Sequence, residues 1–83
     1  MVYIVLTTDG LNELVQSSPK TSALWINPDV ASADRVAQLR VAGWNITRWT
    51  EPIDFTDHQQ LAYELATIKE HHPGHRIWME QIQ

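Results

Sequence analysis

The stretch that decides the fold is Val2-Tyr3-Ile4-Val5-Leu6-Thr7-Thr8, followed at once by Asp9-Gly10. A strand with one wet face alternates apolar and polar residues, whereas a strand covered on both faces reads as a continuous apolar run. Residues 2–8 are of the second kind, so they predict an interior strand of a sheet sandwiched between helices. Thr8-Asp9-Gly10 breaks the run, and Leu11, Leu14, Val15 and Ser18 then recur at helical spacing until Pro19 ends the helix.

The same alternation continues outward. Ala23-Leu24-Trp25-Ile26 is a second continuous apolar strand, stopped by Asn27-Pro28-Asp29. Ala33, Val36, Ala37 and Leu39 line one side of a helix over roughly residues 31–42, and Gly43 stands at the left-handed position just past its last turn. Residues 44–50 are rich in β-branched and aromatic types but alternate, which predicts a strand with one wetter face. Thr56 and Gln59 have the spacing of a capping box, and Leu61, Ala62, Leu65 and Ile68 follow as an apolar stripe. That helix stops near His71, because Pro73 pushes the residue before it out of the helical region. Residues 76–82 make a fourth strand.

The element order is therefore β-α-β-α-β-α-β, a single α/β domain over residues 1–83. Single-helix connections imply right-handed crossovers and a mainly parallel sheet, with helices on both faces. The first two strands read as fully buried and the last two as half-exposed. This favours the spatial order 3-2-1-4, a small Rossmann-like three-layer sandwich, over the order 2-1-3-4. An antiparallel last strand is an open variant.

Composition narrows function by exclusion. With no cysteine there is no disulfide framework, thiolate zinc site or cysteine nucleophile. Apolar runs are too short to span a membrane, and Val2–Leu6 is not preceded by a basic region of the signal-peptide type. The expectation is a cytoplasmic location. Six Lys and Arg against ten Asp and Glu leave a formal charge of −4, with the basic residues scattered, which disfavours nucleic acid as a partner.

In an open parallel sheet, ligands bind beyond the carboxyl ends of the strands. Those ends carry Thr7, Thr8, Asp9 and Gly10, then Asn27-Pro28-Asp29, then Thr50-Glu51 and Asp54. Carboxylates sharing one rim, with Asp9 and Asp29 on neighbouring strands, suit Mg²⁺, and a helix N-terminus suits a phosphate. The rim thus offers Thr7, Thr8, Asp9, Gly10, Asp29 and Glu51 as candidate ligand residues. The plainer role of the same residues is helix capping. No G-x-G-x-x-G or G-x-x-x-x-G-K-[ST] loop is present, which argues against nucleotide binding.

The histidines of Glu70-His71-His72-Pro73-Gly74-His75 lack a metal-ligand spacing and read as groups favoured at a helix C-terminus. No metal and no cofactor is expected. Arg40 falls inside the apolar arc of its helix, and its stem is expected to cover apolar surface with the head in water.

Four tryptophans are many for so small a core. Trp25 belongs to a buried strand. Trp44 and Trp49, five apart, face opposite sides of theirs, and Trp78 sits on the other half-exposed strand. Trp44, Trp49 and Trp78 are therefore candidate interface residues, with at least one of them expected to be substantially exposed. With no coherent catalytic set, the chain reads as a non-enzymatic accessory or interaction domain that meets a protein partner or a second copy. The alternative is a small-ligand domain using the rim with Mg²⁺, phosphate or a nucleotide.

Overall fold

The computed structural model describes residues 1–80. Four strands, β1 (Val2–Val5), β2 (Ala23–Ile26), β3 (Asn45–Arg48) and β4 (Ile77–Met79), alternate with α1 (Thr8–Ser17), α2 (Ala33–Val41) and α3 (His58–His71). The sheet order is β3-β2-β1-β4, and every pairing is parallel, β4 included. The order expected from the apolar runs is thus the one found, and the antiparallel variant is excluded. Gln81 and Ile82, expected at the end of the fourth strand, lie outside the described residues.

Each face of the sheet builds its own core. On one, Val5, Leu24, Ile26, Trp44 and Ile46 pack with Leu11 of α1 and Val36 of α2. On the other, Val2, Ile4, Ala23 and Trp25 pack with Ile68 of α3, and Leu65 and Trp49 close over them. Strand periodicity of two explains this division: alternate residues of β1 and β2 go to opposite cores, so neither strand has a polar position to spare. In α2 the apolar stripe is narrower than its sequence suggests, since Ala33 and Ala37 are exposed and only Val36 is fully buried.

Local signals set the boundaries. Thr7 is the N-cap of α1, its hydroxyl accepting from the Gly10 N–H at 3.0 Å, so Thr8, Asp9 and Gly10 form the first helical turn rather than a break before it. Ser32 caps α2 in the same way through the Arg35 N–H. Gly43, at φ +102°, ends α2 in a left-handed turn in which Gly43 N–H donates to the Arg40 carbonyl and Trp44 N–H to that of Leu39.

The start of α3 differs from the capping box expected at Thr56. Thr56 is drawn backward instead, with its N–H and hydroxyl both donating to Asp54 Oδ1. Asp57 becomes the cap, accepting from the Gln59 and Gln60 N–H groups at 3.0 and 3.3 Å.

Candidate functional site

The carboxyl-end rim of the sheet is occupied by the chain itself. The N–H groups of Leu6 and Thr7 converge on Glu80 Oε1 at 2.8 and 2.9 Å, and the Thr7 hydroxyl donates to Glu80 Oε2. Glu80 follows β4, which lies beside β1, so strand order alone brings its carboxylate to the β1–α1 turn. That turn, with a helix N-terminus behind it, is where a sheet of this order would receive an anion. Gly10 makes the space: a Cβ there would fall 2.5 Å from the Glu80 carboxyl group.

Three other residues near the rim are engaged in similar fashion. Thr8 donates its hydroxyl to the Val30 carbonyl at 2.8 Å. Asn27 clamps the β3–α3 connection, accepting from the Ile53 N–H at 3.0 Å and donating to the Ile53 carbonyl at 3.1 Å. Arg48 spans the β2–α2 loop, reaching the carbonyls of Ala31 and Pro28. Asp9, Asp29 and Glu51 are exposed. Among the described residues, no group of three His, Asp or Glu side chains is placed to hold a metal ion.

The ends of the first three strands give no sign of Glu80, which follows the fourth. Two signals pointed to it. Gly10 is a poor helix former in a first helical turn, which marks a close approach. A fourth strand next to the first also puts its own carboxyl end on the same rim.

The tryptophans separate by environment. Trp44 is only 5% exposed and belongs to the core under α2, so it has no surface to offer a partner and is corrected from interface to core. The local cause is the Gly43 turn, which swings the chain back over the sheet before β3 begins. Trp49 is half-buried, its ring 5.4 Å from that of Trp25 and 5.7 Å from that of Phe55, and its Nε1–H donates to Glu64 at 2.9 Å. Trp78 is 51% exposed, and Met79 beside it 42%.

The two edges of the sheet are treated differently. At β3, the exposed Arg40 sends Nε and Nη2 to the Ile46 carbonyl at 3.1 and 2.9 Å, so its head also binds the strand edge. Among the described residues, no such cover lies on β4. Trp78 pairs with Tyr3 across the sheet and therefore stands on the α1 face, while Ile77 and Met79 face α3. A cleft of about 550 Å³ between β4 and α3 is lined by Leu61, Leu65, Ile77 and Met79. A second, of about 370 Å³ between β4 and α1, is lined by Tyr3, Leu14 and Trp78. Large apolar side chains thus flank an open strand on both sides.

His71, His72 and His75 gather at the amino end of the sheet, away from His58 at the start of α3. His72 Nε2 accepts from Trp25 Nε1–H at 3.3 Å, and His75 Nδ1 lies 3.3 Å from the N-terminal amine. Burial of its ring, then the positive charges of His75, His71 and the N-terminus, hold His72 below the usual imidazole range.

Comparison of the chain with protein-family models, with curated proteins and with solved structures finds no match. Functional inference therefore rests on the site alone.

Proposed function

We propose that this chain is a non-enzymatic interaction domain that associates with protein through the β4 edge of its sheet. The observation that supports the reading most is the pairing of a strand edge left open among the described residues with exposed Trp78 and Met79, one on each sheet face. An open edge supplies main-chain donors and acceptors, and aromatic and Met side chains supply the apolar anchors that interfaces favour. The contrast with β3, whose edge is engaged by Arg40, adds support.

A Mg²⁺- or phosphate-dependent ligand site on the Rossmann-like rim has less support, because the Glu80 carboxylate holds the place and the donors an anion would use. A cytoplasmic location belongs to this proposal as well. No helix among the described residues is long and apolar enough to cross a membrane.

Amide-resolved NMR separates the readings. Shifts confined to residues 75–80 and to Tyr3 and Leu14 as protein concentration rises are the expected result. Shifts at Thr7–Gly10, Asn27–Asp29 and Thr50–Asp54 on adding Mg²⁺ and a nucleotide panel would overturn it.

A further inference from the structure

The β4 edge has a property that says which partner it fits. Val2 N–H donates to the Arg76 carbonyl and Glu80 N–H donates to the Ile4 carbonyl. Residues 76 and 80 therefore aim their main-chain groups at β1, and by the alternation of a strand so does Trp78. Ile77 and Met79 aim theirs at open solvent, placed symmetrically about Trp78. The side chains have the same symmetry: Arg76, three large apolar residues, then Glu80.

An antiparallel copy laid against this edge with Trp78 at the centre matches at every position. Ile77 exchanges both main-chain bonds with Met79 of the second copy, and Met79 does the same with its Ile77. Trp78 meets its own equivalent at a non-hydrogen-bonded pair, where facing side chains come closest. Arg76 falls opposite Glu80, whose named partners within the chain, Leu6, Thr7 and the Thr7 hydroxyl, are all neutral donors. A one-residue slide sets main-chain groups that point at β1 against groups that point outward, and a two-residue slide to either side loses the Arg–Glu match and sets Arg76 or Glu80 opposite Trp78.

We infer that the partner of the β4 edge is a second copy of this chain, joined through antiparallel β4 strands about a two-fold axis at Trp78 into one continuous eight-stranded sheet. This rests on the reading of β4 as the contact surface, and it is the isologous arrangement in which one self-complementary patch serves both copies.

Sedimentation equilibrium from micromolar to millimolar protein, with amide hydrogen exchange at both extremes, tests it. Mass should rise from 9.6 kDa toward twice that value. The Ile77 and Met79 amides should gain protection only in the concentrated sample, while the Trp78 amide is protected in both. Trp78→Lys, which sets two like charges face to face, should weaken the dimer by about thirtyfold or more. Arg76→Glu should weaken it by about fivefold. Met79→Pro, which removes a solvent-facing N–H and no bond to β1, serves as the control if Trp78→Lys fails to fold. A chain that stays monomeric at millimolar concentration overturns the second copy while leaving the edge open to a different protein. A dimer that persists undiminished in Trp78→Lys and Met79→Pro overturns the edge reading itself.

Discussion

Gly10 occupies a helical position where alanine is ordinarily better by about 0.5–1 kcal/mol, yet the room its missing Cβ leaves is filled by the Glu80 carboxylate. Gly10→Ala should therefore eject that carboxylate. The loss of its charge-assisted hydrogen bonds, worth about 1.5–3 kcal/mol, should outweigh the helical gain and lower stability by about 1 kcal/mol or more. In a Glu80→Ala background the same change should become stabilising. Urea unfolding of the four proteins in that double-mutant cycle checks the reversal, and a Gly10→Ala effect of equal sign in both backgrounds would rule out the contact. His72 makes a second residue-scale prediction. Its Nε2 must be unprotonated to accept from Trp25, and its folded-state affinity for protons lies below the ordinary value near 6.5. Below that value the unfolded chain takes up the proton first. This contribution to stability is thus intact above about pH 6.5 and is lost as pH falls through the lowered folded-state value. Melting between pH 5 and 7.5 should show the decline, and His72→Phe should flatten it.

Between residue and domain, the clearest lesson comes from α3. Thr56 and Gln59 have the right spacing for a capping box, but Asp54 lies two residues earlier and captures both donors of Thr56. Those hydrogen bonds also hold the Asp54 carboxyl below its ordinary range, the Thr56 hydroxyl first and its N–H second. Pattern matching weighs one local partner at a time, whereas the folded chain chooses between two, and the cap moves to Asp57. Asp57→Ala should cost about 1 kcal/mol, a fall of about 4–8 °C in Tm, and Thr56→Ala distinctly less. Calorimetry on the two variants decides which residue starts the helix. The strands were more legible than the caps because burial on two faces leaves an unmistakable apolar run. Arg40 is exposed as its sequence suggests, but its bond to β3 was not legible: helical geometry shows which arc a side chain occupies, not that a carbonyl of the following strand waits at its tip.

At the level of the whole molecule, the order β3-β2-β1-β4 was legible because β1 and β2 are continuous apolar runs buried on both faces, whereas β3 carries polar residues and the short apolar run of β4 is flanked by Arg76 and Glu80. The rim was half legible. At its first three strand ends the side chains of Thr7, Thr8 and Asn27 turn to the chain's own carbonyls and N–H groups, while Asp9, Asp29 and Glu51 stay exposed. Order of opening should follow the same architecture. Amides of β1 and β2 are expected to exchange with solvent only on global unfolding, and the Trp78 and Glu80 amides earlier, by release of β4. Glu80→Ala should speed those two without affecting the Leu24 and Ile26 amides. Exchange measured under native conditions provides the check, and uniform protection across all four strands would contradict it.

Pairing of β1 with β4 also has a consequence for the order in which the chain is made. Among the four strands of this sheet, the one synthesised first sits second from the edge, and one of its two neighbours is the one synthesised last. On the ribosome, the nascent chain can build β1-α1-β2-α2-β3 progressively, yet the side of β1 destined for β4 stays bare until residue 80 emerges. Throughout that interval the nascent chain carries a continuous apolar ribbon, Val2 to Leu6, with a free flank. Closure of the sheet is therefore also the step that covers this apolar flank, and Glu80 arrives as the bolt on that closure.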